Sequence, residues 1–455
     1  MGSSVATTPG SPVVAPIERE TIRHVTRRLI PLLMVSYFVA YLDRVNVGFA
    51  SLSMNKDLGF SAEIYGIGSG IFFFGYFLAE IPSNLILSKV GARRWIARIL
   101  ITWGVISGLT ALVRGTWSFL GIRFLLGLAE AGFYPGIILY LTWWFPSYYR
   151  SRIIGLFMTA IPISIVTGSL VSSQILRLGA WGGLADWQWL FILEAVPAAI
   201  LGVVVMVYLT DGPEQAKWLA PEQRTWLIKR LAAERAQRES IRDYSLGETM
   251  RNPRVWLLTL VYFGQNVAGY GLVLFLPQIV HRFGVGVGVN GLLSALPYAF
   301  AAVAMVLWGL HSDRTGERSL HTAAACFLNF AGLAVCIFLH SPVLLMIAII
   351  LSQMGQAAIA PTFWTLPTAM LSGTAAAGGI ALINAVGNLG GFLGPYMMGA
   401  IKDATGSFNI GLLSIAMGTL VAGIILVALG HDRRLEATPE EAGHAAAGYT
   451  KPQLG

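Results

Sequence analysis

The chain of 455 residues is far more apolar than a soluble protein. Hydrophobic residues make up 55% of it, its mean hydropathy is +0.66, and 12% of its residues are charged, against about 25% in an average soluble domain. This composition excludes a soluble enzyme or a soluble binding domain and indicates an integral membrane protein.

The sequence shows no sign of redox, metal or cofactor chemistry. The two cysteines, Cys326 and Cys336, lie in one apolar segment and can form neither a disulfide framework nor a four-ligand zinc site. We find no nucleophile or cofactor motif, so we expect no metal, no cofactor and no enzymatic activity. Residues 1–28 are polar and then basic, without the apolar core and cleavage site of a secretory signal, so the first span is expected to direct its own insertion.

A transmembrane helix needs about 20 predominantly apolar residues, and the chain contains twelve such runs. The long polar stretch 211–252, in which we expect a surface helix after Pro221, divides them into six and six. The predicted fold is therefore all-α and membrane-embedded, with an N-terminal segment (1–28), a six-helix bundle (29–210), a linker (211–252), a second bundle (253–430) and a tail (431–455). The predicted spans lie near 29–52, 62–87, 95–113, 117–145, 153–176, 187–210, 254–280, 289–311, 319–340, 342–371, 377–401 and 408–430.

The positive charges predict the orientation, because cytoplasmic loops accumulate Lys and Arg. Most of the 31 Lys and Arg residues fall in the N-terminal segment, the linker, the tail and three short connections on the same side. Both termini and the linker are therefore predicted to be cytoplasmic, in a multi-pass membrane protein. This topology accounts for the net charge of +8 without a nucleic-acid partner, and we expect a monomer in the lipid bilayer.

Charged residues interrupt the first and fourth spans. Asp43 and Arg44 lie within Tyr41–Asn46, and burying charge at bilayer depth costs roughly 2.5–3.5 kcal/mol per group, so the pair predicts a functional site. A purely structural ion pair is the alternative. At a rise of 1.5 Å per residue, Arg123 lies at a depth similar to that of Asp43 and Arg44. Glu130 lies about 10 Å deeper than Arg123, on nearly the same face of the fourth span.

The two halves resemble each other as repeats, which is typical of secondary transporters. Ser88–Arg93 follows the second span, and the similar Asp313–Arg318 follows the eighth. Glu130 in the fourth span corresponds to Gln356 in the tenth. The glutamine in place of a glutamate predicts that only the N-terminal half takes part in proton coupling.

Several motifs identify a family resemblance. Gly309–Arg318 resembles the cytoplasmic loop motif of the major facilitator superfamily, whose fold consists of two six-helix bundles related by a pseudo-two-fold axis. Tyr41–Asn46, Asp211–Leu219 and Gly379–Pro395 resemble the anion:cation symporters. That family includes bacterial proton-coupled permeases for sugar acids, tartrate, phthalate and hydroxyphenylacetate. The resemblance covers essentially the whole membrane region.

The resemblance implies roles for the four charged residues. Asp43 and Glu130 would take part in proton coupling, Arg44 would meet the substrate carboxylate, and Arg123 would pair with the acidic groups. The chemistry is compatible, because Arg binds carboxylates bidentately and a carboxyl group in a low-dielectric site gains or loses a proton with small rearrangements. We hypothesise that protonation of Asp43 and Glu130 frees positive charge for an organic anion.

Other titratable residues are weaker candidates. Glu80 in the second span and Glu194 in the sixth lie nearer the membrane faces. We expect them to bond the backbone or gating residues, and a proton role is the less favoured alternative. None of the seven histidines lies in the middle of a span, which disfavours a histidine relay.

The C-terminal half offers neutral polar side chains that suit the hydroxyl groups of an acid. The resemblance implies substrate contacts for Asn384 and Trp364 and, in the first two spans, for Tyr41 and Tyr76. Asn388 shares a helix face with Asn384, and helix–helix hydrogen bonding is a close alternative for Asn388. For Trp364, packing is the less favoured alternative. The candidates in this half are Gln265, Asn266, Tyr270, Trp364, Thr365, Asn384 and Asn388.

Two departures from the family pattern qualify these expectations. Ile161 stands where sugar-acid permeases tend to carry glutamine, which favours a smaller or more apolar acid over a polyhydroxylated six-carbon one. Ser88 stands where the loop motif carries an acidic residue, which weakens the predicted gate in the N-terminal half. The implied gating residues are Lys89, Gly91 and Arg93 in one half and Asp313, Arg314, Gly316 and Arg318 in the other.

These observations predict a secondary active transporter that imports a small organic carboxylate together with protons by alternating access. The carboxylate is expected to be tartrate-like, a sugar acid or an aromatic acid. An organic-anion exchanger, a facilitator or a membrane-bound nutrient sensor are the alternatives that the sequence leaves open.

Overall fold

The computed structural model describes residues 16–239, 250–370 and 373–430, and these are almost entirely helical. The N-terminal half and linker contain α1 (Pro16–Leu58), α2 (Ala62–Val90), α3 (Ala92–Leu109), α4 (Thr116–Glu130), α5 (Phe133–Thr142), α6 (Ser147–Met158), α7 (Ala160–Arg177), α8 (Asp186–Tyr208) and α9 (Pro221–Glu239). The C-terminal half contains α10 (Pro253–His281), α11 (Val287–Thr315), α12 (Ser319–Val335), α13 (Pro342–Phe363), α14 (Thr365–Met370), α15 (Gly373–Asn388), α16 (Gly390–Thr405) and α17 (Phe408–Leu429).

The predicted all-α membrane class is confirmed. Eleven helical segments of the described chain are long and apolar enough to cross a membrane, and they coincide with eleven of the twelve predicted spans. The remaining span, 377–401, consists of α15 and α16, two 16-residue helices that meet at Leu389. The surface helix expected after Pro221 is α9. Residues 1–15 and the predicted tail lie outside the described residues.

Prolines divide three of the predicted spans. A proline cannot donate a hydrogen bond to the carbonyl four residues earlier, and its ring clashes with that carbonyl. Pro135 therefore accompanies the break between α4 and α5, Pro162 the break after α6, and Pro367 the break after α13. In the first of these, Gly132 adopts a left-handed conformation with φ 83°. As a result α4 ends at Glu130, one of the predicted proton-coupling residues.

Equivalent helices pack in equivalent ways in the two halves. In the N-terminal half α3 packs on α8, α2 on α4 and α1 on α8, and the C-terminal half repeats these pairs as α12 on α17, α11 on α13 and α10 on α17. The halves meet where α2 packs on α16 and α7 on α11, which are again equivalent pairs. This arrangement has the predicted pseudo-two-fold relation.

Small residues bring the two halves together at the end of the molecule where α1 connects to α2. Gly399 in α16 lies against the carbonyl group of Ala62, and Gly291 in α11 lies against the side chain of Ser173. Asp403 also accepts a hydrogen bond from the backbone N–H of Ala62 at 3.1 Å, so it caps the N-terminus of α2 from the other half. These contacts close this end of the protein.

We expect Gly399→Ala to weaken the closed end. A Cβ atom at this position would collide with the Ala62 backbone, and overpacking of this kind costs about 1–3 kcal/mol. The thermal unfolding midpoint of the purified protein in detergent should therefore fall. Gly121→Ala is the matched control, because a Cβ atom there has no neighbour within 4 Å. Equal midpoints for the two variants would contradict the close approach.

Candidate functional site

A cavity of about 210 Å³ lies between the two halves. Helices α1, α2, α5, α6 and α7 contribute its N-terminal wall. Helices α10, α11, α13 and α15, with Trp364 after α13, contribute its C-terminal wall. Arg44 is the only charged side chain among the described residues that line it. All eight predicted substrate-contacting residues line this cavity, namely Tyr41, Arg44, Tyr76, Gln265, Asn266, Trp364, Asn384 and Asn388.

Arg44 projects from α1 to the cavity and pairs with Glu130. Its Nη2 contacts Glu130 Oε1, and the two side chains are 10% and 3% exposed. Its Nη1 donates to the Tyr270 hydroxyl of α10 at 3.2 Å. The guanidinium carbon lies 4.9 Å from the ring centroid of Tyr41 and 5.8 Å from that of Tyr76. The difference in depth predicted for Arg44 and Glu130 is bridged by their long side chains.

Asp43 has different surroundings, although it precedes Arg44 in the chain. It is 3% exposed and accepts hydrogen bonds from Asn46 Nδ2 at 2.9 Å, from Trp103 Nε1 at 2.6 Å and from Ser107 Oγ. At 3.6 residues per turn, consecutive helical side chains point about 100° apart. The interpretation of Asp43 and Arg44 as one ion pair is therefore wrong, because they face different neighbours.

Arg123 lies in the same interior and is 2% exposed. It interacts electrostatically with both Asp43 and Glu130, but within the described part of the chain it forms no ion pair with either of them. Its Nη2 donates to the Ser69 carbonyl at 3.5 Å. The predicted charge partner thus acts on both carboxyl groups over a longer distance.

Two of the predicted amide side chains are already hydrogen-bonded. Asn384 Nδ2 donates to Glu80 Oε1 at 2.6 Å, which links the C-terminal half to α2. Asn266 Nδ2 donates to the Gly387 carbonyl at 3.0 Å, which joins α10 to α15. Glu80 therefore bonds a cavity residue of the opposite half, whereas the sequence predicted a backbone or gating partner.

Other polar atoms of the C-terminal wall lack a partner. The buried atoms Gln265 Oε1, Gln353 Nε2, Gln356 Oε1 and Tyr298 OH have no hydrogen-bond partner among the described residues, and all four residues line the cavity. An unsatisfied buried polar group costs about 1–3 kcal/mol, so these atoms are available to a ligand or an ordered water. Sequence analysis did not single out Gln353 or Tyr298, although the spacing of three between Gln353 and Gln356 places them on one helix face.

Comparisons with known proteins agree with this architecture. The sequence profile described as Major Facilitator Superfamily matches residues 33–395 and 266–450. The chain belongs to the Major Facilitator Superfamily. A relative from Agrobacterium vitis named "Putative tartrate transporter" is 53% identical over 389 residues, which cover 86% of each chain.

Two further comparisons span similar lengths. A "Quinolone resistance transporter" from Acinetobacter baumannii is 40% identical over 389 residues, which cover 85% of this chain and 90% of the relative. The crystal structure of a bacterial homologue of the human lysosomal transporter Spinster, in an inward-facing and unoccupied conformation, aligns with a TM-score of 0.73 at 16% identity. It covers 94% of this chain and 100% of that chain. This likeness concerns the fold alone.

The loop motifs of the superfamily are stabilised by different contacts in the two halves. In the C-terminal half, Arg318 Nη2 pairs with Asp313 Oδ1 at 2.6 Å. In the N-terminal half, where Ser88 replaces the acidic residue, Asp211 lies against Gly91 and accepts the backbone N–H of Arg93 at 2.8 Å. Asp211 thus caps α3. Sequence analysis missed this contact because Asp211 follows α8, far along the chain.

We expect the hydrogen bonds to Asp43 to contribute to stability. Trp103→Phe removes the indole donor and leaves a buried acceptor unpaired, which costs about 1–3 kcal/mol. Ser107→Ala, which changes the side-chain volume little, should also lower the thermal stability. Thermal unfolding in detergent measures both variants, and Trp117→Phe is the control because Trp117 is 85% exposed. Midpoints unchanged in the first two variants would argue against these bonds.

Proposed function

We propose that this protein is a proton-coupled symporter that imports a small hydroxylated carboxylate by alternating access. It would lie in the bacterial inner membrane with both termini in the cytoplasm. The observation that carries the proposal is the ion pair between Arg44, the single charged residue among the described cavity residues, and Glu130.

The ion pair provides a route to coupling by charge balance. A substrate carboxylate must compete with Glu130 for Arg44, because both anions need the same guanidinium donors. When Glu130 takes up a proton, Arg44 loses its partner, and an unpaired buried charge is unfavourable. An incoming carboxylate restores the pairing. Proton and anion therefore stabilise each other in the site, which is the requirement for symport.

The cavity favours a small hydroxy acid. Its volume of about 210 Å³ lies below the roughly 300–1,000 Å³ of pockets for drug-sized ligands. The unpaired amide and hydroxyl atoms of Gln265, Gln353 and Tyr298 suit hydroxyl groups of the substrate. Ile161 lines the N-terminal wall, where a polyhydroxylated six-carbon acid would need another polar contact. The name of the relative from Agrobacterium vitis points to the same class of acid.

Contacts across the cavity connect binding to the movement of the halves. Arg44 and Tyr41 in α1 both reach the Tyr270 hydroxyl in α10, at 3.2 Å and 3.5 Å. A carboxylate bound to Arg44 would rearrange this bridge between the halves. In the proposed cycle, the halves then rock about the site, and the closed end at Gly399 opens while the opposite end closes.

We expect Arg44→Ala to abolish substrate binding. Tartrate at 100 times its Kd should stabilise the wild-type protein by about 2.7 kcal/mol, whereas the variant should show no thermal shift. Arg114→Ala is the control, because this exposed arginine lies outside the cavity. Aldonates, aldarates and aromatic acids, screened in parallel, identify the acid bound. A shift of equal size in Arg44→Ala would overturn the assignment of the anion anchor.

We expect Glu130→Gln to separate exchange from accumulation. The amide mimics the protonated acid, so the variant should bind substrate and retain counterflow in proteoliposomes but lose uptake driven by an imposed pH gradient. The exposed Glu222 of the linker supplies the control Glu222→Gln. Accumulation by Glu130→Gln at the wild-type level would contradict the coupling role. A wild-type protein that exchanges but does not accumulate would be an exchanger or facilitator.

A further inference from the structure

A second buried carboxyl group lies close to Asp43. Glu194 in α8 is 3% exposed, and its Oε1 accepts a hydrogen bond from Ser172 Oγ at 2.7 Å. Its Oε2 is buried and has no hydrogen-bond partner among the described residues. The coupling through Arg44 and Glu130 does not use this group, and the sequence placed it nearer the membrane face.

Asn46 holds Asp43 from the same helix. This side chain is fully buried, and its Nδ2 donates to Asp43 Oδ1 at 2.9 Å. Its own Oδ1 is buried and has no hydrogen-bond partner among the described residues. Glu194, on the neighbouring helix α8, interacts electrostatically with Asp43.

The surroundings of this pair contain few charges. Helices α1, α3 and α7 pack against α8. From α1 comes Asp43, which interacts electrostatically with Glu194. From α3 and α7 come the neutral side chains Trp103, Ser107 and Ser172. Arg123 of α4 acts electrostatically on Asp43 over a longer distance. Within the described ranges neither carboxyl group forms an ion pair, so a second negative charge, on Glu194, would lack direct compensation.

Two carboxyl groups in such a site cannot both ionise at low cost, so one of them retains a proton. Asp43 accepts three hydrogen bonds, from Asn46, Trp103 and Ser107, and all three stabilise its ionised form. Glu194 accepts a single bond, and its Oε2 is free to carry the hydrogen.

We propose that Glu194 holds a proton in this conformation, and that Asp43, Asn46 and Glu194 form one unit that keeps a single proton between two carboxyl groups. If a movement of α3 removes Trp103 and Ser107 from Asp43, the proton leaves Glu194 and binds Asp43, with no change in net charge. Among the described residues the unit shares no hydrogen bond or ion pair with Arg44 and Glu130. Its role in transport rests on the proposed proton symport, whereas the protonation of Glu194 does not.

Infrared spectroscopy of Glu194→Gln tests the protonation directly. Gln has the shape and donor of the protonated acid, so the variant should fold with a thermal midpoint no lower than that of the wild type at neutral pH. The carbonyl-stretch band of protonated carboxylic acids should be weaker than in the wild type. Glu222→Gln, which changes an exposed carboxylate, should leave this band unchanged. An unchanged band in Glu194→Gln, or its failure to fold, would overturn the proposal.

Transport in proteoliposomes tests the role in coupling. Glu194→Gln should retain substrate counterflow and lose accumulation driven by a pH gradient. If the wild type accumulates substrate and the variant accumulates the same amount, the coupling role of the unit is refuted. Absence of pH-driven accumulation in the wild type would refute the proposed symport instead, and the infrared result would still decide whether Glu194 carries a proton.

Discussion

The pairing of Arg44 with Glu130 in an apolar interior is the interaction on which the site depends. Removing two charges from water is costly, and a buried pair is tolerated only where each partner compensates the other. The protein meets this condition with two long side chains from α1 and α4. Loss of the charge on one partner therefore leaves the other uncompensated. Under the proposed symport, a proton would neutralise Glu130 and the substrate anion would then compensate Arg44.

The aromatic wall makes the site tolerant of this exchange. The rings of Tyr41, Phe72 and Tyr76 lie within 5.8 Å of the Arg44 guanidinium carbon. Desolvated cation–π contacts of this kind contribute about 2 kcal/mol, so the guanidinium keeps favourable contacts while its anionic partner changes. Tyr270 adds a hydroxyl from the opposite half, so the Arg44 guanidinium contacts both bundles.

Helix geometry separates two tasks that are adjacent in the chain. Arg44 faces the cavity, whereas Asp43 faces Trp103 and Ser107 in the interior of the N-terminal half. In the proposed function, Arg44 would therefore meet the substrate while Asp43 stays away from it. The break in the fourth span is part of the same arrangement. Helix α4 ends at Glu130, and the carboxyl group of Glu130 pairs with Arg44.

The sequence by itself determined the membrane class and the division into two bundles, because apolar runs are local signals, and it singled out eight of the residues that line the cavity. It also predicted Arg44 and Glu130 as functional residues. Only the tertiary structure decided which residues form hydrogen bonds with the residues of the site and the loops. The bonds of Asp43 to Trp103, of Asn384 to Glu80 and of Arg93 to Asp211 join residues far apart in the chain, and such contacts depend on helix packing, which periodicity does not specify.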